Sequence, residues 1–294
     1  MGRRCPRSPL APRELVVPDE SPIPDYPGLL RLDGRGAVVL GAGQGMGRQT
    51  AHALASVGAR VLCVDVDATR AETVAGEVGG IPWHGDMTSR ADVEDLFAFA
   101  VRELPAVHHV VDIIGITRAA DLVEFDDDAW RSQFDVVLHH ALLAMQIGSR
   151  AMPRGDGASM AFVGSVSGLY GAAWHAGYGA AKAALMHLVK SAAVEFAPLG
   201  IRVNAVAPGR IATPIILSQL TPERRAAYNA AIPLGRMGET PEVASVLLFL
   251  LAPLSSYVTG QTLLVDGGVG ASSPYVTARE LLLAPPAVGG PNAS

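Results

Sequence analysis

The chain is poor in cysteine and has no block of like charge and no long uninterrupted apolar run. Of its 294 residues two are cysteine, Cys5 and Cys63. Cys5 lies in a proline-rich stretch and Cys63 inside an apolar run, so no disulfide between them is expected and a reducing, cytoplasmic setting fits. Basic residues number 23 against 28 acidic, a net charge of −5. Nucleic-acid binding would call for a clustered basic face. The only basic cluster, Arg3, Arg4 and Arg7, reads as a solvated end. No apolar stretch follows it, so no secretory leader is expected. Residues 243–265 carry no charge, but the second half of that run holds Pro253, Ser255, Ser256, Thr259, Gly260, Gln261 and Thr262. A membrane span needs about 20 predominantly apolar residues. The run is therefore read as a buried helix, a loop and a short strand, with no membrane partner. No His, Cys, Asp and Glu cluster has ligand spacing, and no metal is expected.

What is present is alternation. Short apolar runs predict strands at 37–40, 60–64, 107–114, 158–164, 202–207 and 262–265. Helical spacing predicts helices at 48–57, from Thr88 or Ser89 onward, from an Asp126 cap through about Met152, and at 178–196 and 241–251. Continuously apolar strands alternating with helices mean a parallel sheet covered on both faces. The expectation is a single doubly wound α/β domain over 34–270, between an irregular extension at 1–33 and a tail at 271–294. In such sheets ligands bind beyond the carboxyl ends of the strands. Loops starting at Gly41, Asp65, Asp86, Gly115, Ser165 and Pro208 should therefore matter.

The first of these loops is Gly41-Ala42-Gly43-Gln44-Gly45-Met46-Gly47, between a strand and a helix. Glycines let a backbone turn sharply and approach a pyrophosphate, while the helix N-terminus offers free N–H groups. A tight turn that binds nothing is the alternative; the strand–loop–helix setting favours a dinucleotide. Asp65, with Val66 after it, ends the second strand. A carboxylate there accepts from both adenosine ribose hydroxyls and repels a 2′-phosphate, so NAD is expected as cofactor. The alternative is that Asp65 merely caps the next helix.

Tyr178 and Lys182 stand four apart at a helix start, on one face. A cation beside a phenol should lower its pKa from about 10 and let it exchange a proton with an alcohol. Ser165, 13 residues earlier at a strand end, can bind the substrate oxygen.

Taken together these residues resemble the short-chain dehydrogenase/reductase family, over about Gly34 to Gly268. Gly41, Gly45 and Gly47 resemble its phosphate loop, and Ser165, Tyr178 and Lys182 its catalytic serine, tyrosine and lysine. Asp86, with Met87 beside it, resembles its adenine-contacting aspartate. Residues 204–213 resemble its nicotinamide-side stretch. The resemblance implies a Rossmann sheet of about seven strands and a cofactor held further by Ile114, Gly115, Pro208, Gly209, the Ile211 backbone and the Thr213 hydroxyl. It also implies a homo-oligomer, tetramer or dimer, built on segments 126–152 and 178–196.

The departures matter. Asp112-Ile113-Ile114-Gly115 stands where the family has Asn-Asn-Ala-Gly, Leu40 where it has threonine, and Val137 where it has a tetrad asparagine. His139 and His140 lie next to Val137 and are read as packing histidines, like His108 and His109, rather than relay groups. The substrate should meet Ser165, Ser167, Tyr170, Trp174 and Tyr178, near Leu169, His175, Thr117 and Arg118. Residues 211–231 are expected to form a lid. The expected activity is NAD-dependent hydride transfer between nicotinamide and an apolar or cyclic secondary alcohol or ketone. A redox-neutral cyclase, epimerase or dehydratase with bound NAD is the alternative.

Overall fold

The structure is a computed structural model that describes residues 21–271. Seven parallel strands form one sheet in the order β3-β2-β1-β4-β5-β6-β7. They are β1 (Gly36–Leu40), β2 (Arg60–Asp65), β3 (Ile81–His84), β4 (Val107–Asp112), β5 (Ser159–Val163), β6 (Arg202–Pro208) and β7 (Thr262–Val265). Every residue of β1, β4 and β5 is buried, as strands covered on both faces must be. Alternation along a strand sends neighbours to opposite layers. Val38, Leu40, Leu62 and Val64 pack on one face against α3 (Arg90–Glu103), α5 (His140–Ala151) and α6 (Ala176–Phe196). Val39, Val61 and Cys63 pack on the other, against α1 (Gly45–Ser56), α2 (Ala68–Val78) and α9 (Thr240–Leu251). The expected single doubly wound domain is therefore observed. Cys63 is free, and burial pushes its thiol up to about 12; Cys5 lies outside the described residues.

Three expectations need correcting. The α2–β3 unit was not foreseen. In β3 half-buried and exposed positions alternate at the sheet edge, so Ile81-Pro82-Trp83-His84 offers no continuous apolar run. The 107–114 strand stops at Asp112, because the Asp112 carboxylate accepts the Ile114 N–H at 3.0 Å and turns the chain. The helix capped by Asp126 is α4 (Asp127–Phe134), and it reaches α5 only through a π-helical turn, Asp135–His139. Such turns widen a helix locally and recur at functional sites; Val137 is the buried residue of this one. Leu32, before the first strand, is buried in the core, and its N–H donates to the Val57 carbonyl at 2.9 Å.

The chain leaves the sheet edge at β3 and returns at β4 beside β1. The carboxyl ends of β1 and β4 therefore diverge into a crevice at the topological switch point.

Candidate active site

The phosphate loop is shaped by two contacts that admit no side chain. A Cβ on Gly47 would sit 1.9 Å from the Gly41 carbonyl oxygen, and one on Gly43 would sit 2.5 Å from the Asp65 carboxylate. Gly41 and Ala42 donate to the Val64 carbonyl at 2.8 Å, tying the loop to β2. Gln44 is the residue before α1 and leaves the first turn uncapped by its side chain. With no acidic side chain in the first turn of α1, the positive end of this helix is open to an anion. Beside it lies a cavity of about 280 Å³ lined by Gly43, Gln44, Gly45, Arg48, Pro214 and Thr240, among others. Met46 packs partly against the core below.

Asp65 is nearly buried; its Oδ2 accepts the Gly43 N–H at 2.9 Å and its Oδ1 the Asp67 N–H at 3.1 Å. The cap of α2 is Asp67, which accepts from Arg70 N. Asp65 therefore belongs to the loop and is not a helix cap. Val66 after it is exposed. Asp86 is exposed and folds its carboxylate back on Thr88, at 2.9 and 2.8 Å, while Met87 is buried. Ile114 packs 3.2 Å from the position a Cβ of Gly41 would take, and Gly115 comes to 3.0 Å from Lys182 Nζ by the same measure. This glycine cradle, backed by a carboxylate, fits a dinucleotide.

Ser165, Tyr178 and Lys182 converge at the carboxyl end of β5. Ser165 Oγ accepts the Ser167 N–H at 3.1 Å. Tyr178 has hydrogen-bonding partners in Ser165 and in Thr117, which comes from the loop after β4. Lys182 is buried, donates to the Val163 carbonyl at 2.6 Å, and lies 5.8 Å from the centre of the Tyr178 ring.

The phenol does not behave as the spacing suggested. Burial raises the Tyr178 pKa above 10, with Ser165 and Thr117 opposing the rise. The lysine is turned to the Val163 carbonyl and does not offset it. Burial likewise pushes Lys182 down to about 8, against the attraction of the Asp112 carboxylate.

Across the crevice, Pro208 ends β6 and Gly209 crosses close to Asp266. Ile211 is buried in a bridge to Gly238. The Thr213 hydroxyl caps α7 (Pro214–Ser218), accepting from Ile216 N at 3.3 Å. The segment expected to form a lid holds α7 and α8 (Pro222–Ala230), neither of which contributes a buried residue. Arg210 stacks 3.7 Å over Tyr228 of α8. Of the proposed substrate residues, Tyr170 donates its hydroxyl to the Gly270 carbonyl at 3.1 Å. Trp174 is 61 % exposed and has φ +62, a region that penalises any side chain with a Cβ.

Sequence reasoning missed Gln133. Buried on α4, it accepts from Arg118 N at 2.8 Å and donates to the Ile116 carbonyl at 2.7 Å, clamping the loop that carries Thr117. A single glutamine in a helical pattern gives no signal of this. His139 is exposed. His140 packs as expected, but on the carboxylate of Asp112. His108 pairs with Asp156 and His109 with Ser159; they lie toward the opposite end of β4 from Asp112. Among the described residues there is no metal-ligand cluster and no helix long and apolar enough to cross a membrane.

Comparison with known proteins decides the family. Residues 41–270 match the model described as Enoyl-(Acyl carrier protein) reductase. The chain belongs to the short-chain dehydrogenase/reductase family. It is 35% identical to a 3-oxoacyl-[acyl-carrier-protein] reductase of Thermotoga maritima, covering 82% of this chain and 99% of that protein. It is 37% identical to a galactitol 2-dehydrogenase (L-tagatose-forming) of Cereibacter sphaeroides, covering 83% and 98%. Among solved structures, a 7α-hydroxysteroid dehydrogenase complexed with NADH and 7-oxo glycochenodeoxycholic acid matches with a TM-score of 0.78 and 30% identity. That match covers 82% of this chain and 96% of the other. The protein is an oxidoreductase of this hydride-transferring family.

Proposed function

We propose that this protein is NAD-dependent and interconverts a secondary alcohol and ketone on an apolar or cyclic substrate. The observation that carries the reading is the meeting of Tyr178, Ser165 and Lys182 at the crevice that also holds Asp65 and the glycine loop.

The loop residues Gly41 to Gly47 would hold the pyrophosphate, Asp65 the adenosine ribose, and Asp86 and Met87 the adenine. Ile114, Gly115, Pro208, Gly209, Ile211 and Thr213 would border the nicotinamide. Bound nicotinamide would supply or take the hydride. Ser165 would donate a hydrogen bond to the substrate oxygen, and Tyr178 would hold the proton exchanged at that oxygen. Because burial keeps the phenol protonated at neutral pH, Tyr178 stands ready as an acid for ketone reduction. Lys182 would bind the nicotinamide ribose.

Apolar side chains around the mouth support the substrate class: Ile116, Leu169, Trp174, Ile215 and Leu217 are all exposed. The relatives, named for a 3-oxoacyl group, galactitol and a 7-oxo steroid, support carbonyl–alcohol chemistry in general. The reading includes a homo-oligomer using the helices at 126–152 and 178–196, with Val194 76 % exposed on α6 as an apolar contact.

Fluorescence titration tests the cofactor. NADH should bind at least about tenfold more tightly than NADPH, and Asp65→Ala should erase most of that ratio. Equal affinities in the native protein would sink the NAD assignment. Reduced-nicotinamide absorbance with a panel of apolar ketones tests the reaction; bound NAD without any redox turnover would favour redox-neutral chemistry.

A further inference from the structure

The floor of the crevice holds a buried acid–base pair that hydride transfer as described above does not use. Asp112 ends β4 and is 2 % exposed; His140 opens α5 and is fully buried. His140 Nε2 lies 3.0 Å from Asp112 Oδ1, in hydrogen-bond geometry, and 2.8 Å from Oδ2. Oδ1 also accepts the Ile114 N–H. His140 Nδ1 is buried and has no hydrogen-bond partner among the described residues.

That orphan nitrogen fixes the charge state. A proton on Nδ1 would be a buried donor with no acceptor, which is strongly unfavourable. The ring is therefore neutral, donating from Nε2, and Asp112 is the carboxylate that accepts. The floor then carries one net negative charge in a dry setting, which needs a cation.

The cation is Lys182. Lys182 is 1 % exposed, and its ammonium donates to a neutral acceptor, the Val163 carbonyl. It lies against Gly115, three residues past Asp112, and the Val163 that takes its hydrogen bond follows Phe162, the residue of β5 paired with Asp112 in the sheet. Burial drives its proton off and Asp112 is the group that opposes this. On its own helix the Tyr178 ring lies 5.8 Å away, with its phenol held above the ordinary value by burial, and the His175 ring at the helix cap lies 6.2 Å from that of Tyr178. Neither supplies negative charge at neutral pH.

We propose that Asp112, oriented by His140, is a positioning residue that keeps Lys182 an ammonium ion in this crevice. At position 112 the family pattern has asparagine, which has a dipole but no charge. At 137 this chain has valine, which has neither. Asp112, held by His140, supplies from the floor a charge that neither an asparagine at 112 nor the valine at 137 would. The inference rests on Lys182 belonging to the site, but not on which cofactor or substrate is bound.

The chain contains two lysines, Lys182 and the exposed Lys190. Full-length protein labelled with ε-¹³C-lysine therefore gives two side-chain signals, one of them an internal control. In the native protein, without cofactor, Lys182 should be protonated at about pH 7. In Asp112→Asn its midpoint should fall by at least about one unit, a roughly tenfold loss of the ammonium form at a given pH above it, while Lys190 does not move. His140→Gln, which keeps an N–H donor, should shift Lys182 less. A midpoint in Asp112→Asn within about 0.2 units of the native value overturns the proposal. Should that variant not fold, the native protein decides: a neutral Lys182 at about pH 7, or an imidazolium His140 in ¹⁵N spectra at that pH, overturns it equally. Because no cofactor or substrate is present, this result is independent of the NAD and ketone assignments.

Discussion

The phosphate end of the crevice is made of backbone, whereas the floor beneath Lys182 is made of side chains. At the phosphate end, absent Cβ atoms at Gly43 and Gly47 let the loop fold against Asp65 and Gly41. Binding there would use N–H groups that every residue but proline possesses, so the glycine spacing alone advertises it. On the floor, Asp112 and His140 lie 28 residues apart, and neither has meaning without the other. The loop keeps the glycine pattern of its family. The floor departs from that pattern at 112, 113, 114 and 137, and the first of these departures is held by a buried histidine.

Four experiments would break or sharpen this contrast. The largest effect is expected for Tyr178→Phe, which removes the exchangeable proton on the floor side. Turnover should fall by about 10³-fold, with NADH affinity nearly unchanged by fluorescence titration. A matching loss of affinity would show that the two ends are not separable. Next is Gly47→Ala, whose methyl would lie 1.9 Å from the Gly41 oxygen. Denaturant unfolding should show a loss of about 3 kcal/mol; full stability would mean that the loop can open without harm.

Lys182→Met probes the floor through pH. The folded pKa of Lys182, about 8, lies below its ordinary 10.5. Between those values the unfolded chain binds the proton and the folded chain does not, so the group adds stability as pH rises. From about pH 8 to 10 the native protein should gain on the order of 1 kcal/mol per pH unit relative to the variant. An unchanged difference across that range would mean that Lys182 is not buried as described. The smallest effect is expected for Trp174→Gly. Relief of φ +62 should raise stability by less than about 1 kcal/mol, while the KM for an apolar ketone rises a few-fold. If KM is unmoved, Trp174 lies outside the substrate pocket.

Much of the site was legible because it depends on local spacing. The glycine loop, Asp65 at the end of β2, and Tyr178 one turn before Lys182 all lie at the edge of one crevice. The pKa of Tyr178 was not legible. The four-residue spacing suggested an acidified phenol, but burial and the turn of Lys182 toward Val163 reverse the sign. Thr117 was assigned to the substrate wall and proves to be a partner of Tyr178, held there by the unforeseen Gln133 clamp. The edge strand β3 escaped because half its residues face solvent.

By itself the sequence determined the alternation of strands and helices, the glycine loop and the spacing of the side chains proposed to react. These follow from periodicity and from steric limits that act within a few residues. Only the tertiary structure decided that Asp112 faces His140, that Gln133 holds the Thr117 loop and that Lys182 is dry. Burial and charge pairing depend on which distant segments share a low-dielectric space, and no local pattern encodes that.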